Sequence, residues 1–250
     1  MKVRELTEQI DEIAPFSTSE DWDNTGLLIG DPEQELDTVI MAVDCTPKVL
    51  NLAREQGAGA VVVHHPLIFH PVKQVTADQM PFRLIESGIA LIACHTNLDK
   101  APGGVDDSLA RLAGLRDCVC LDEEGFGRVG SPDFTCTAGE LARRMKDRLP
   151  NAPVRLYGDP DREIQTLASL CGSGDHDLEA ALAAGADCIL TGEMKFSTVM
   201  DALRADLPVI LLGHGESERP GIISLQSMLA ARCPDTIFLM DETDYRLQVL

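Results

Sequence analysis

Short apolar runs that stop abruptly at a polar or ionisable residue recur along the 250-residue chain. TVIMAVDCT stops at Asp44, AGAVVVHHP at His64 and His65, and GIALIACHTNLD at His95 and then Asp99. ADCILTGE stops at Glu193, and LPVILLGHGESE at His214 and then Glu218. The runs are shorter than ordinary helices and rich in β-branched residues, so they predict strands buried on both faces. Between them lie helical patterns: Thr46-Pro47 opens one through VLNLAREQGA, and others cover 79–87, 105–113, 138–149 and 178–184, the last closed by Gly185. Val3, Leu6, Ile10 and Ile13 recur at helical spacing near the start.

Strand alternating with helix predicts an α/β protein, its mainly parallel sheets covered by helices on both faces. The Gly-, Pro- and acid-rich stretch 117–135 breaks the rhythm and is the candidate crossing between two lobes. The expected organisation is a first α/β lobe over 1–120, completed by 210–250, and a second over 121–209. In such sheets ligands gather beyond the carboxyl ends of the strands, where the His, Asp and Glu residues above fall. The metal site is therefore expected between the lobes at those ends.

Composition narrows the function classes. Apolar residues make up 44% of the chain, enough for a packed core, whereas aromatics make up only 4%. A formal charge of −20, with no Lys/Arg-rich run, weighs against nucleic-acid binding. No apolar run approaches the length of about 18 residues that a membrane-spanning helix needs, so no membrane contact is expected. The N-terminal segment lacks the features of a signal peptide, and a cytoplasmic location is therefore expected. The eight cysteines form no CxxC pair and several sit in apolar runs, which argues for reduced thiols and against a disulfide framework.

The ionisable strand ends carry the chemistry. Adjacent residues on a strand point to opposite faces, so His64 and His65 reach one centre only if the strand ends there, and Pro66 supplies that break. If a helix begins near His214, then His214 and Glu218 share one face four residues apart, a spacing that gives two ligands to one ion. His95 and Asp99 each offer a donor, and the residues alone do not choose which ligates and which orients. Asp23 and Asn24 fit the rim of a site or a polar turn equally well. Trp22, the single tryptophan, reads more readily as packing than as a substrate platform. Gly172-Ser173-Gly174 reads as a turn, and Lys195 as a surface residue. Mixed His/Asp/Glu donors without thiolate suit Zn, Fe, Mn or Co.

The segments WDNTGLLIG (22–30), VVVHHPLIF (61–69), CHTNLDKAPGGVDD (94–107), ILTGEMKF (189–196) and GHGESERPGI (213–222) span nearly the whole chain. In that order they resemble the dinuclear-metal proteins of the YbgI/Nif-three-like type, named GTP cyclohydrolase I type 2 homologues. The resemblance implies two divalent ions per subunit held by His64, His65, Asp99, His214 and Glu218, with Glu218 bridging and His95 behind the ligands. It also implies a toroidal homohexamer of dimers with its sites facing an internal cavity. Two positions depart from the family pattern: Ser197 stands where a His is usual, and Gly215 where an aromatic often follows the ligating His. The leading functional expectation is a metal-dependent hydrolase acting on a small molecule, nucleotide- or pterin-like by the family name. The alternatives are non-catalytic metal storage, delivery or regulation, and a metal that serves stability alone.

Overall fold

The computed structural model describes residues 1–242. In chain order the elements are α1 (Val3–Ile13), β1 (Gly26–Ile29), β2 (Thr38–Ala42), α2 (Pro47–Glu55), β3 (Ala60–Val63), α3 (Met80–Ser87), β4 (Ala90–Ala93) and α4 (Thr96–Lys100). Next come α5 (Val105–Ala113), β5 (Leu115–Cys120), β6 (Arg128–Pro132), β7 (Cys136–Thr137), α6 (Ala138–Arg148), β8 (Arg155–Tyr157), β9 (Glu163–Ile164) and β10 (Leu167–Ser173). The remainder are α7 (Leu178–Ala183), β11 (Cys188–Glu193), α8 (Phe196–Arg204), β12 (Val209–Leu211), α9 (His214–Arg232) and β13 (Ile237–Met240). The fold is mixed α/β, and the expected strands and helices form close to their predicted limits. Among the described residues the chain divides into two compact units, one from Met1–Gly104 with residues 222–242, the other Val105–Gly221.

The first unit holds a five-stranded sheet in the order β1-β4-β3-β2-β13. Strands β4, β3, β2 and β13 run parallel, and β1 closes the edge antiparallel to β4. The AVVV of β3 and the ALIA of β4 are buried at every position, as central parallel strands demand. Thr46 caps α2 through its hydroxyl, which accepts from the Val49 amide, and Pro47 fits the first turn because its missing N–H would have no partner there. The buried Val49, Leu50, Ala53 and Leu84 of α2 and α3 pack on Ile40, Val61, Val63 and Leu91. Each large apolar side chain among them contributes roughly 1.5–3 kcal/mol by leaving water.

The second unit holds a six-stranded sheet, β5-β6-β10-β11-β12-β8. Only its centre, β10-β11-β12, is parallel, while β5, β6 and β8 are antiparallel to their neighbours. This sheet is thus mixed where a mainly parallel one was expected. The stretch 117–135, expected to cross between lobes, instead contributes the β5–β6 hairpin. Its turn is built by Asp122, whose Oδ1 accepts from the Gly125 and Phe126 amides, and by Gly125 and Gly127 at positive φ. The polar composition there reflects an edge hairpin that is half-exposed. The unit limits fall instead at Gly104/Val105 and, within α9, at Gly221/Ile222.

Alternation along the central strands feeds two cores. Cys188, Leu190 and Ile210 join Leu141 and Met145 of α6 on one face. Ile189, Val209 and Leu211 join Val199 and Ala202 of α8 on the other. Asp106 of α5, 1% exposed, fastens the helix to the sheet: its carboxylate accepts from the Gly127 amide at 2.7 Å and from the Cys171 amide at 3.0 Å. The carboxyl end of β10 is thereby fixed where Gly172 stands. A Cβ on Gly221 would lie 2.5 Å from the Val105 Cα, so only glycine permits that approach.

Candidate functional site

In the first unit the predicted ligands lie at the carboxyl ends of two adjacent parallel strands. The amides of His64 and His65 both donate to the Val43 carbonyl, at 3.1 and 3.0 Å, so the ladder stops and the chain curls at this pair. The two imidazoles consequently come together, with ring centroids 5.0 Å apart. Beyond β4, His95 precedes the short α4, and the Asp99 amide donates to the His95 carbonyl at 3.1 Å. That turn aims the buried Asp99 at His64, with Oδ1 3.4 Å from Nε2. His95 also joins the group: one donor atom from each of His64, His65 and His95 lies within 4.8 Å of the others.

Each of these rings is held from behind at Nδ1. His64 Nδ1 lies 2.8 Å from the Cys94 carbonyl oxygen. Since a carbonyl only accepts, Nδ1 carries the hydrogen and Nε2 presents its lone pair. His65 Nδ1 bonds Asp44 Oδ1 at 2.8 Å, and His95 Nδ1 bonds Asp23 Oδ1 at 2.9 Å. Burial pushes the Asp23 carboxyl up, but hydrogen bonds from His95 and Thr96 outweigh it and hold the group at about 2. Asp23 is thus a firm anion that orients His95 and pins the start of α4.

In the second unit, β12 ends at Leu211 and Gly213, at φ +97, turns the chain into α9. His214 and Glu218 then share a helix face, as their spacing predicted, with Nε2 2.9 Å from Oε1. Glu193, at the end of β11, bonds His214 Nδ1 through Oε1 at 3.0 Å. Ser217 is buried beside them: its hydroxyl donates to the His214 carbonyl and accepts from the Gly172 amide. Gly172, at φ +55, completes a close cradle, for a Cβ there would meet Glu218 Oε1 at 2.7 Å and His214 Nε2 at 3.2 Å. The GSG turn therefore serves this pair and opens no helix of its own to an anion.

All four imidazoles have an oxygen partner at Nδ1, and in His64 and His214 Nε2 faces a carboxylate. Histidines that bind metals are oriented in this way. The donor set fits a borderline divalent cation, and the thiols stay out of it: burial pushes Cys45 up to about 12 and Cys94 higher still. No disulfide joins any of the eight cysteines.

A family model described as DUF34/NIF3 (NGG1p interacting factor 3) matches residues 1–244. The chain belongs to this family. Among curated relatives, a "GTP cyclohydrolase 1 type 2 homolog" of Clostridium acetobutylicum is 32% identical, the match covering 92% of this chain and 90% of that one. A solved hypothetical protein of Staphylococcus aureus is similar at TM-score 0.92 and 30% identity, covering 100% of this chain and 99% of its own. Reduced HcgD from Methanocaldococcus jannaschii is similar at TM-score 0.82 and 26% identity, covering 97% and 98%. The family resemblance drawn from the sequence motifs and the α/β fold class are thus both established. Among the described residues, no helix is long and apolar enough to cross a membrane.

Sequence reasoning named Asp44 and Glu193 as strand ends but gave neither the role of holding an imidazole from behind. Their signal was present, because both close apolar runs in the same manner as the histidines. Trp22, expected to pack, is 56% exposed and lies against Phe69 and His95. Lys195 pairs with Asp175 at 3.2 Å, and Ser197 is exposed in the first turn of α8.

Proposed function

We propose that the chain holds two divalent cations through His64, His65, Asp99, His214 and Glu218, and that it is a metal-dependent hydrolase of a small molecule. One observation carries the reading. With hydrogens on Nδ1, the Nε2 lone pairs of His64 and His214 face carboxylate oxygens of Asp99 and Glu218 at 3.4 and 2.9 Å. Lone pair against anion is repulsive unless a proton or a metal cation lies between them. A proton on His64 would answer the need only by charging a ring that is 1% exposed, which burial disfavours. A divalent cation meets the need at both pairs and uses the donor types it prefers.

When bound, such ions acidify a water and polarise the bond under attack. The chain's own groups do the positioning. Cys94, Asp44 and Glu193 set the tautomers of His64, His65 and His214, and Asp23 places His95 beside the group as a hydrogen-bonding residue. The hydrolase part of the reading draws on the name carried by the relatives, and the substrate class on the same source.

Elemental analysis of the purified protein, with turnover assays on GTP and a panel of phosphoesters, tests it. The expected result is about two equivalents of metal and a hydrolytic rate that falls at least a hundredfold in His64→Ala and Glu218→Ala. Metal below half an equivalent, or rates equal in wild type and both variants, overturns it. Tight metal without turnover on any substrate leaves metal handling in place of hydrolysis.

A further inference from the structure

Trp22 and Phe69 stand out in a chain whose aromatics amount to 4% and whose cores are aliphatic. Both rings are exposed, at 56% and 37%, with centroids 5.7 Å apart and planes tilted by 39°. Both stand edge-on to the same imidazole, that of His95, at 6.1 and 6.3 Å and 75°. They therefore flank the His64–His65–His95 group and are not scattered surface residues.

The pair is also held in place. Asp23, next to Trp22, accepts from His95 and from the amide and hydroxyl of Thr96. Asn24 donates through Nδ2 to the carbonyl of Ile68, the neighbour of Phe69. Hydrogen bonds thus tie together the two backbone segments that carry the rings. Packing alone does not account for this, since Trp22 remains 56% and Phe69 37% exposed. A fixed aromatic pair beside convergent polar donors is what a planar ligand needs: stacking area on one side, orientation on the other.

We propose that Trp22 and Phe69 form a stacking platform for a planar heteroaromatic ring, of which a nucleobase is the test case, placing the ring's polar edge or substituent at the imidazole group. The proposal rests on reading that group as a metal-bearing small-molecule site. It deepens that reading by naming the residues that would select the ligand and the part of it they would hold.

Trp22 is the only tryptophan, so its emission reports this one position. The zinc-loaded protein is titrated with guanosine, adenosine and cytidine monophosphates and, separately, with ribose 5-phosphate, which has the sugar and phosphate but no aromatic base. Saturable quenching by at least one nucleotide and none by ribose 5-phosphate is the expected result. By equilibrium dialysis, Trp22→Leu then weakens nucleotide binding about tenfold or more, as loss of a base–aromatic stack does, while Trp22→Phe retains most of it. Zinc content is expected to be equal in all three proteins.

No quenching by any nucleotide, equal binding of ribose 5-phosphate, or undiminished binding in Trp22→Leu overturns the platform. Emission that changes with protein concentration alone also overturns it, assigning the patch, with the exposed Val72 and Val75, to a second copy of this chain. The two readings fail separately. Full zinc with no nucleotide response removes the platform and leaves the metal site, whereas quenching without bound zinc removes the metal site and leaves the platform.

Discussion

Glu193 Oε1 stands 3.0 Å from His214 Nδ1, and this contact decides which ring nitrogen faces Glu218. Without the acceptor, His214 is able to rotate or to change tautomer. Glu193→Ala is expected to lower metal affinity about 10–100-fold, the usual effect of losing the group that orients a ligating histidine. Glu193→Gln keeps an acceptor oxygen and should lie within a few-fold of wild type. Competition against a chelator of known affinity measures both.

Gly172→Ala adds backbone strain at φ +55 to a Cβ 2.7 Å from Glu218 Oε1. Gly185→Ala is the matched control, with φ +70 and nothing within 4 Å. The control should lose about 1 kcal/mol of stability in urea melts, and Gly172→Ala about 1–3 kcal/mol more. Only Gly172→Ala should also lower the bound metal, because only there does the crowding fall on the proposed ligands.

Asp177 gives a pH dependence of opposite sign to that of most carboxylates. Burial, and then the neighbouring Asp122, push it from its ordinary 3.8 up to about 6. The folded state therefore holds a proton that the unfolded chain has lost. Stability contributed by this group declines as pH rises through the window from about 4 to about 6, and stays low above it. Asp177→Asn should raise the melting temperature at pH 8 relative to wild type, with the gain gone at pH 3.5. Equal shifts at the two pH values would contradict this assignment.

Asp106→Ala removes the acceptor for two amides, those of Gly127 and Cys171, and takes a carboxylate from beside the buried Arg128. Buried donors left without acceptors cost about 1–3 kcal/mol each. A loss of about 3 kcal/mol or more is expected in equilibrium unfolding, against under 1 kcal/mol for the exposed Asp161→Ala.

Much of this was legible because one physical rule repeats: a buried parallel strand is apolar until it ends, and the next residue is placed at the sheet's carboxyl edge. Val61-Val62-Val63 before His64, and Val209-Ile210-Leu211 before His214, state that rule openly. His65 was legible through Pro66, although the break comes from two amides sharing the Val43 carbonyl, which no local pattern shows. The role of His95 was not legible, since its geometry depends on Asp23, far away along the chain. Residues 117–135 misled for a related reason. An antiparallel edge hairpin with a glycine turn has the composition of a linker, and only its pairing with β10 tells the two apart.

The pairing of β13 with β2 joins residues 237–240 to residues 38–41 in one parallel ladder. During synthesis, β2 emerges roughly two hundred residues before its outer partner, and until then its edge carries open N–H and C=O groups that invite strand addition by other chains. The first sheet therefore cannot close until residues 237–240 have been made. Expression at low temperature, or with chaperones that shelter open strand edges, should raise the yield of native protein far more than any change to the exposed surface.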